Sequence, residues 1–333
     1  MQPRVSVILP VRNGGAWLQP AVDSILAQTM AELELLVVDD HSEDGAPQRL
    51  LPGDSRLNVL PSAGRGVSAA FNTGAAAARA PYVARMDADD LALPDRLERQ
   101  LRYLDENPDV AICGACVEIF RHDGAPLAGG NRRYQTWLNA CRTPAAIRRE
   151  LFVESPIPNP TAVFRRSALQ RLQGYAEPPW PEDYDLFLRA DALGMRLGKP
   201  DGVLLRWREH EARLTRRDPR YAHARFQAAK AHYLARERLR GRPVVIWGAG
   251  PGGRLLHDLL RDEGVRIEGF LDVHPRRIGA EKRGLPVRSI EEATCPGTHF
   301  VLVAVGAAGA RRRIRQFLQA RGHEEGEHYL FAC

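Results

Sequence analysis

The sequence predicts an α/β protein: a mostly parallel sheet with helical crossovers, followed by a second, smaller α/β unit. Strand-like and helix-like stretches alternate from the beginning of the chain. Carboxylates recur just past the strand ends, and after Arg242 the alternation restarts around a glycine-rich turn.

Val5–Leu9 is an apolar run closed by Pro10, which predicts a buried strand. Arg12-Asn13-Gly14-Gly15 reads as a loop before a helix over Ala16–Gln28, where Leu18, Val22, Ile25 and Leu26 form one stripe. Leu33–Val38 is the second strand and ends in Asp39-Asp40. After a turn at Ser42–Gly45 and a short helix, Leu57–Leu60 supplies a third strand. Gly64-Arg65-Gly66 then opens an alanine-rich helix over Val67–Arg79. Tyr82–Ala84 is a fourth strand, leading into Asp87, Asp89 and Asp90, and Leu93-Pro94-Asp95-Arg96 starts a helix with Pro in its first turn. Strands joined this way imply right-handed parallel crossovers, with ligands beyond the C-terminal strand ends. Pro10/Arg12, Asp39/Asp40 and Asp87/Asp89 all fall on that edge.

Carboxylates at the end of a buried strand are costly to desolvate unless a cation or hydrogen bonds offset them. Mg²⁺ and similar hard ions take one or two protein carboxylates and complete their shell with water and phosphate oxygens. Asp87-x-Asp89 therefore fits a holder for a metal–diphosphate. On spacing alone, an acidic turn that caps the following helix competes with it.

Further along, Val110–Phe120 predicts a strand that sends Cys113 and Cys116 to opposite faces. Five cysteines, an odd number, argue against a disulfide framework, and buried reduced thiols fit better than a zinc or redox pair. Gly129–Pro144 and Glu177–Pro181 read as loops, and Pro158-Asn159-Pro160 as a rigid loop before a strand over Thr161–Arg165. Pro181-Glu182-Asp183-Tyr184-Asp185 begins a helix. Its acids serve either the helix dipole or a base held rigidly at a cleft. Leu204–Trp207 is a strand followed by His210, which is a metal ligand, a diphosphate contact or a loop histidine.

Asp218, Pro219 and Gly241 bound a basic amphipathic helix that either meets an anionic membrane surface or packs on its own protein. Val244–Trp247, Gly248-Ala-Gly250-Pro-Gly-Gly253, a helix over Arg254–Glu263 and a strand over Arg266–Leu271 follow. A third unit comprises Phe300–Val305 and a helix over Ala310–Arg321. Gly248, Gly250 and Gly253 match a dinucleotide fingerprint, and Asp272 stands where a ribose hydroxyl would be gripped. The same glycines also allow tight strand–helix packing with no ligand. The expected organisation is a catalytic domain over 1–217, a basic linker helix over 218–241 and a Rossmann-like domain over 242–333 with a nucleotide as its candidate ligand.

A length of 333 residues suits about two domains, and 44% hydrophobic with 26% charged residues is ordinary for a globular protein. The net charge of +6 favours anionic partners. Nucleic acid is the weakest of these, because aromatic and basic residues are not interleaved. No run reaches the ~18 apolar residues that span a bilayer, and the N-terminal apolar run is too short for a signal peptide. A cytoplasmic protein with peripheral contact at the inner face of the membrane is expected.

SVILPVRNGGAWLQPAVDSILAQT, ELLVVDDHSEDG and GRGVSAAFNTGAAAARAPYVARMDADDLALPDRLERQ together resemble the inverting family 2 glycosyltransferases. NPTAVFRRSAL, GYAEPPWPEDYDLFLRA and WREHEARLT continue the likeness through about residues 3–217. The resemblance implies a GT-A type nucleotide-diphospho-sugar transferase fold. It further implies transfer of a sugar from a nucleoside diphosphate donor, UDP-linked, to a hydroxyl of a glycan or lipid-linked acceptor in bacterial surface polysaccharide or glycoconjugate synthesis. Asp183 is then the base. Asp40 with Asp39 holds the base and ribose of the donor, Pro10 and Arg12 line the cleft, and Arg65 approaches the diphosphate. Asp89, helped by Asp87 and by His210, holds Mg²⁺ or Mn²⁺. The competing readings are a nucleotidyltransferase, a non-catalytic nucleotide-sugar binder, and a nicotinamide-type cofactor on the C-terminal domain.

Overall fold

In the computed structural model, which describes residues 2–50, 53–292, 296–307 and 309–333, the Val5–Val11 strand is buried along its whole length. It lies between Leu33–Asp39 and Tyr82–Arg85 in a seven-stranded sheet whose order is Leu57–Pro61, Leu33–Asp39, Val5–Val11, Tyr82–Arg85, Val163–Arg165, Val110–Cys113 and Arg196–Gly198. The first four strands are mutually parallel, as the strand–helix alternation requires. Val163–Arg165 enters antiparallel to both its neighbours.

Pro10 does not close the first strand, which runs on to Val11. The Ile8 carbonyl accepts from the Met86 amide, so alternation turns the Pro10 nitrogen toward the same side. Pairing with Tyr82–Arg85 has already stopped at Ile8, so the missing N–H of Pro10 faces no partner strand. The Val67–Ala77 helix packs close on this strand because residue 74 is glycine: a Cβ there would lie 2.5 Å from Ile8 Cγ2.

Several local expectations change. The single strand over Val110–Phe120 is two, Val110–Cys113 and Cys116–Arg121, in different sheets. Both thiols are nevertheless buried, and desolvation raises Cys113 to about 12. Cys295 lies outside the described residues. Cys116–Arg121 joins Val203–Glu209 and Leu91–Ala92 in a three-stranded sheet. Gly129–Ala140 is a helix rather than a loop, with Leu138 as its buried anchor. The helix after the acids begins at Arg96, so Pro94 precedes it.

The chain divides into two compact units: residues 1–148, 156–178 and 185–218 form one, and residues 149–155, 179–184 and 219–333 the other. The second holds a six-stranded sheet ordered Glu281–Lys282, Leu285–Ser289, Ile267–Asp272, Val244–Trp247, Phe300–Val303 and Tyr329–Phe331. It is parallel except for the outer Glu281–Lys282 pairing.

The basic helix is shorter than the sequence suggests. Pro219–Tyr221 is a 3₁₀ turn and the α-helix spans His223–Glu237. Lys230, one of its basic residues, is 2% exposed and donates to the Val153 carbonyl. Two short segments from the middle of the chain thus complete this unit's core.

Candidate active site

Tyr82–Arg85 ends at the C-terminal edge of the sheet, and the turn beyond it gathers Asp87, Asp89 and Asp90 with carboxylate oxygens within 4.8 Å of one another. Each is held differently. Buried Arg85 donates from Nε to Asp87 Oδ1 at 2.9 Å, and His210 Nε2 lies 2.8 Å from Asp89 Oδ2. Arg208 uses its amide on Asp90 Oδ1 at 2.8 Å and its Nε on the Asp89 carbonyl at 2.6 Å. Burial first, then the charges of Asp89 and Asp87, push the Asp90 carboxyl well above its ordinary range.

Asp90 Oδ2 and His210 Nδ1 are buried with no hydrogen-bond partner among the described residues. An orphaned buried polar atom costs about 1–3 kcal/mol, and converging like charges add to this. Three carboxylates so placed fit a hard divalent cation, with His210 held against one of them. The 3₁₀ turn Gly15–Trp17 packs beside the group: the Trp17 ring lies tilted against His210 at 4.3 Å between ring centroids and 5.4 Å from the Arg208 guanidinium. Beneath it, fully buried Arg96 donates to the carbonyls of Arg85 and Pro160, and desolvation pulls its pKa to about 10.

The neighbouring strand ends carry the donor-side residues. Both oxygens of Asp40, 5% exposed, accept from the Gly66 amide at 3.0 and 3.1 Å. Gly66 has φ +93°, and the Val67–Ala77 helix starts immediately after it. Asp40 therefore fixes the turn that carries Arg65. Asp39 Oδ1 accepts from the Ser42 amide at 2.9 Å and keeps part of its surface open. Pro10 is buried while Arg12 and Arg65 are exposed.

Asp183 and Glu182 open the Glu182–Ala192 helix and belong to the second unit. Glu182 is 1% exposed and accepts from the Tyr221 hydroxyl at 2.7 Å. Asp183 is half-buried, its Oδ1 accepting from the Tyr184 amide at 2.7 Å, one of the helix's first-turn donors. The buried member of the pair is thus committed to the protein, while Asp183 keeps part of its surface exposed. Tyr184 anchors both by donating its hydroxyl to the Leu151 carbonyl.

The glycine-rich turn is explained in part by packing. Gly248 has φ +120°, and a Cβ on Gly253 would lie 1.8 Å from the Gly248 carbonyl oxygen. Asp272 accepts from the Ala249 and His274 amides and from Arg277, at 3.0, 2.9 and 3.0 Å. Burial raises its pKa, but these bonds outweigh that and hold the carboxyl below its ordinary value.

Asp90, Arg208, Arg85 and Trp17 are members of the acid site that sequence reasoning gave no role. Asp90 abuts the Asp87-x-Asp89 pattern and Arg208 precedes His210 by two positions, so adjacency was the available signal; Trp17 carried none.

An uncharacterised glycosyltransferase of Haemophilus influenzae is 28% identical over 217 residues, covering 62% of this chain and 66%, just under two thirds, of that protein. EpsE of Bacillus subtilis is 28% identical over 228 residues, 66% of this chain and 78% of that one. The crystal structure of S. aureus TarS 1-349 in complex with UDP-GlcNAc superposes with a TM-score of 0.55 at 16% identity, covering 78% and 72% of the two chains, and shares the fold. The family described as Glycosyl transferase family 2 matches residues 6–173, half of the chain. With its parallel strands ending in one acidic edge, the chain belongs to glycosyl transferase family 2.

Proposed function

We propose that the protein is a metal-dependent inverting hexosyltransferase that moves a sugar from a nucleoside diphosphate sugar, UDP-linked, to an acceptor hydroxyl. The acid cluster supports this reading most directly: Asp87, Asp89 and Asp90 converge, with the buried Asp90 Oδ2 left without a partner among the described residues. Asp89, helped by Asp87 and His210, would hold Mg²⁺ or Mn²⁺. Such an ion supplies charge neutralisation on the departing diphosphate, a contribution of several kcal/mol.

The protein's own groups do the rest. Asp40 holds the Gly64–Gly66 turn so that Arg65 faces the diphosphate, and Asp39 with Asp40 borders the base and ribose beside Pro10 and Arg12. Trp17 and Arg208 wall the acid cluster and lower the local exposure to water. Asp183 takes the acceptor proton as the acceptor oxygen attacks the anomeric carbon from the face opposite the leaving diphosphate. General-base assistance of this kind is worth roughly 10²–10⁴ in rate.

The relative that binds UDP-GlcNAc in its crystal structure supports the donor class. A glycan or lipid-linked acceptor of a bacterial surface polymer suits the reaction. A lipid-linked acceptor would bring the protein to the inner face of the membrane, and exposed Arg225, Arg236 and Arg240 suit an anionic surface there. No described helix is long and apolar enough to cross it.

The test is a donor screen: UDP-, GDP- and dTDP-sugars are titrated with and without Mn²⁺, and release of nucleoside diphosphate is followed. Metal-dependent binding with slow donor hydrolysis is expected. Equal affinity with and without metal across all donors would overturn the reading.

A further inference from the structure

The second unit carries an open cavity of about 970 Å³, at the upper end of the range for small-molecule sites. Its walls include the segments that follow two adjacent parallel strands: Gly248–Gly252 after Val244–Trp247, and Ala304–Ala307 after Phe300–Val303. From Val244–Trp247 the chain crosses first to Ile267–Asp272 on one side and later to Phe300–Val303 on the other. The crevice where the direction of winding reverses is where open α/β sheets take their ligands.

The three fingerprint glycines do not share one explanation. Gly248 needs its positive φ and Gly253 its close packing. Gly250 needs neither: its φ is −73°, and the nearest atom to an added Cβ would be Arg277 Nη1 at 3.8 Å. A side chain there would instead occupy the cavity beside Arg277, in front of the Pro251–Asp262 helix N-terminus.

Asp272, the expected ribose grip, has both oxygens engaged by Ala249, His274 and Arg277, so the exposed functional group at that position is the guanidinium. Independently, Gln227 lines the cavity while only 6% exposed, and its side-chain amide makes no hydrogen bond among the described residues. Its amide atoms are not sealed off from solvent, so they are available to a polar group of a ligand in the cavity. Ile290, Ile314 and Phe317 supply apolar wall.

We propose that this cavity binds a phosphorylated nucleoside, its phosphate lying at the Gly250–Gly252 turn beside Arg277 and its sugar or base meeting Gln227. Nucleotide sugars and dinucleotides share this chemistry. The cavity belongs to the second unit and the acid cluster to the first, and the proposal does not depend on the transferase reading.

The experiment is calorimetric titration of the full chain in EDTA with UDP, GDP, ADP, NAD⁺ and NADP⁺, which removes any metal-dependent binding at the acid cluster. At least one of the five is expected to bind. Arg277→Ala and Gly250→Val should each weaken it at least about tenfold, since a charge-assisted contact and the phosphate's space are lost. Gly250→Val should leave the melting temperature nearly unchanged, because Gly250 has ordinary φ and no close neighbour, whereas Arg277→Ala also strips a partner from buried Asp272 and should lower it, so the Gly250 variant separates binding from stability. Asp89→Ala should leave it unchanged. A mononucleotide as the tightest ligand assigns the nucleotide-sugar class, and NAD⁺ or NADP⁺ the dinucleotide class. No binding by any of the five overturns the proposal, as does affinity unaffected by both variants or lost in Asp89→Ala. Metal-free binding without any metal-dependent UDP binding would sink the transferase reading alone.

Discussion

His210 Nε2 lies 2.8 Å from Asp89 Oδ2, joining residues 121 positions apart in sequence. Asp89 follows a strand of the seven-stranded sheet, and His210 follows Val203–Glu209 of the three-stranded sheet. The contact makes the acid edge a product of two sheets, which bears on how it should respond to substitution.

Asp89→Ala should abolish the metal-dependent part of UDP binding and leave the metal-free part in place. His210→Ala should weaken metal-dependent binding about 10–100-fold, the usual cost of losing a group that orients or assists a ligand. Titrating Mn²⁺ at fixed UDP reads both. A His210 variant with wild-type Mn²⁺ affinity would reduce the contact to a structural one.

Asp183→Asn should lower turnover by about 10²–10⁴ while changing UDP affinity by less than about twofold. The amide keeps the size and the bond from the Tyr184 amide, so the melting temperature should hold. Parallel steady-state assays and UDP calorimetry separate loss of the base from loss of the donor. Near-normal turnover would assign the base elsewhere.

Asp40→Ala leaves the Gly66 amide without its acceptor. Gly66 is only partly buried, so the loss should cost about 1 kcal/mol, near the low end for an orphaned donor, and thermal and urea denaturation should both shift slightly downward. UDP affinity should also fall as the Arg65 turn loosens. Weaker UDP binding with unchanged stability would instead mean that Asp40 acts on the nucleotide and not on the turn.

Lys199 is 3% exposed and donates to the Leu138 carbonyl at 2.7 Å; burial pulls its pKa down to about 8. Between that value and the unfolded pKa near 10.4 the unfolded chain binds more protons than the folded one, so stability rises with pH across this window. The Lys199→Met variant lacks the effect. The stability difference between variant and wild type should therefore shift by about 3 kcal/mol in favour of wild type from pH 8 to 10.5. Urea melts at the two pH values measure it, and parallel curves would show Lys199 to be solvated.

The parallel core was legible because apolar runs of strand length alternate with helix-period stretches, and Val5–Val11 and Leu33–Asp39 lie within a residue or two of where that pattern puts them. The acid edge was legible for the same reason, since strand ends and carboxylates coincide. What escaped was non-local. Whether Val110 and Phe120 share a strand depends on which sheets pass nearby, and the break falls at Gly114, where an added Cβ would lie 2.8 Å from Ile157. The role of Arg208 depends on a strand arriving from more than a hundred residues away. Amphipathic periodicity gives the basic helix its existence but not its orientation: Lys230, basic yet buried, uses its long aliphatic stem to reach the Val153 carbonyl from inside.

Glu150, from the middle of the chain, accepts from Arg311 and Arg315, as Val153 accepts from Lys230 and Glu182 from Tyr221. Dissection of this protein by cutting at residue 217 or 241 would therefore not release two self-sufficient pieces. The upstream fragment would carry two segments stripped of their partners, and the downstream fragment would expose guanidinium and ammonium groups built to be satisfied from elsewhere. Anyone seeking to study the C-terminal portion alone would need to supply residues 149–155 and 179–184 as well, and with them Asp183.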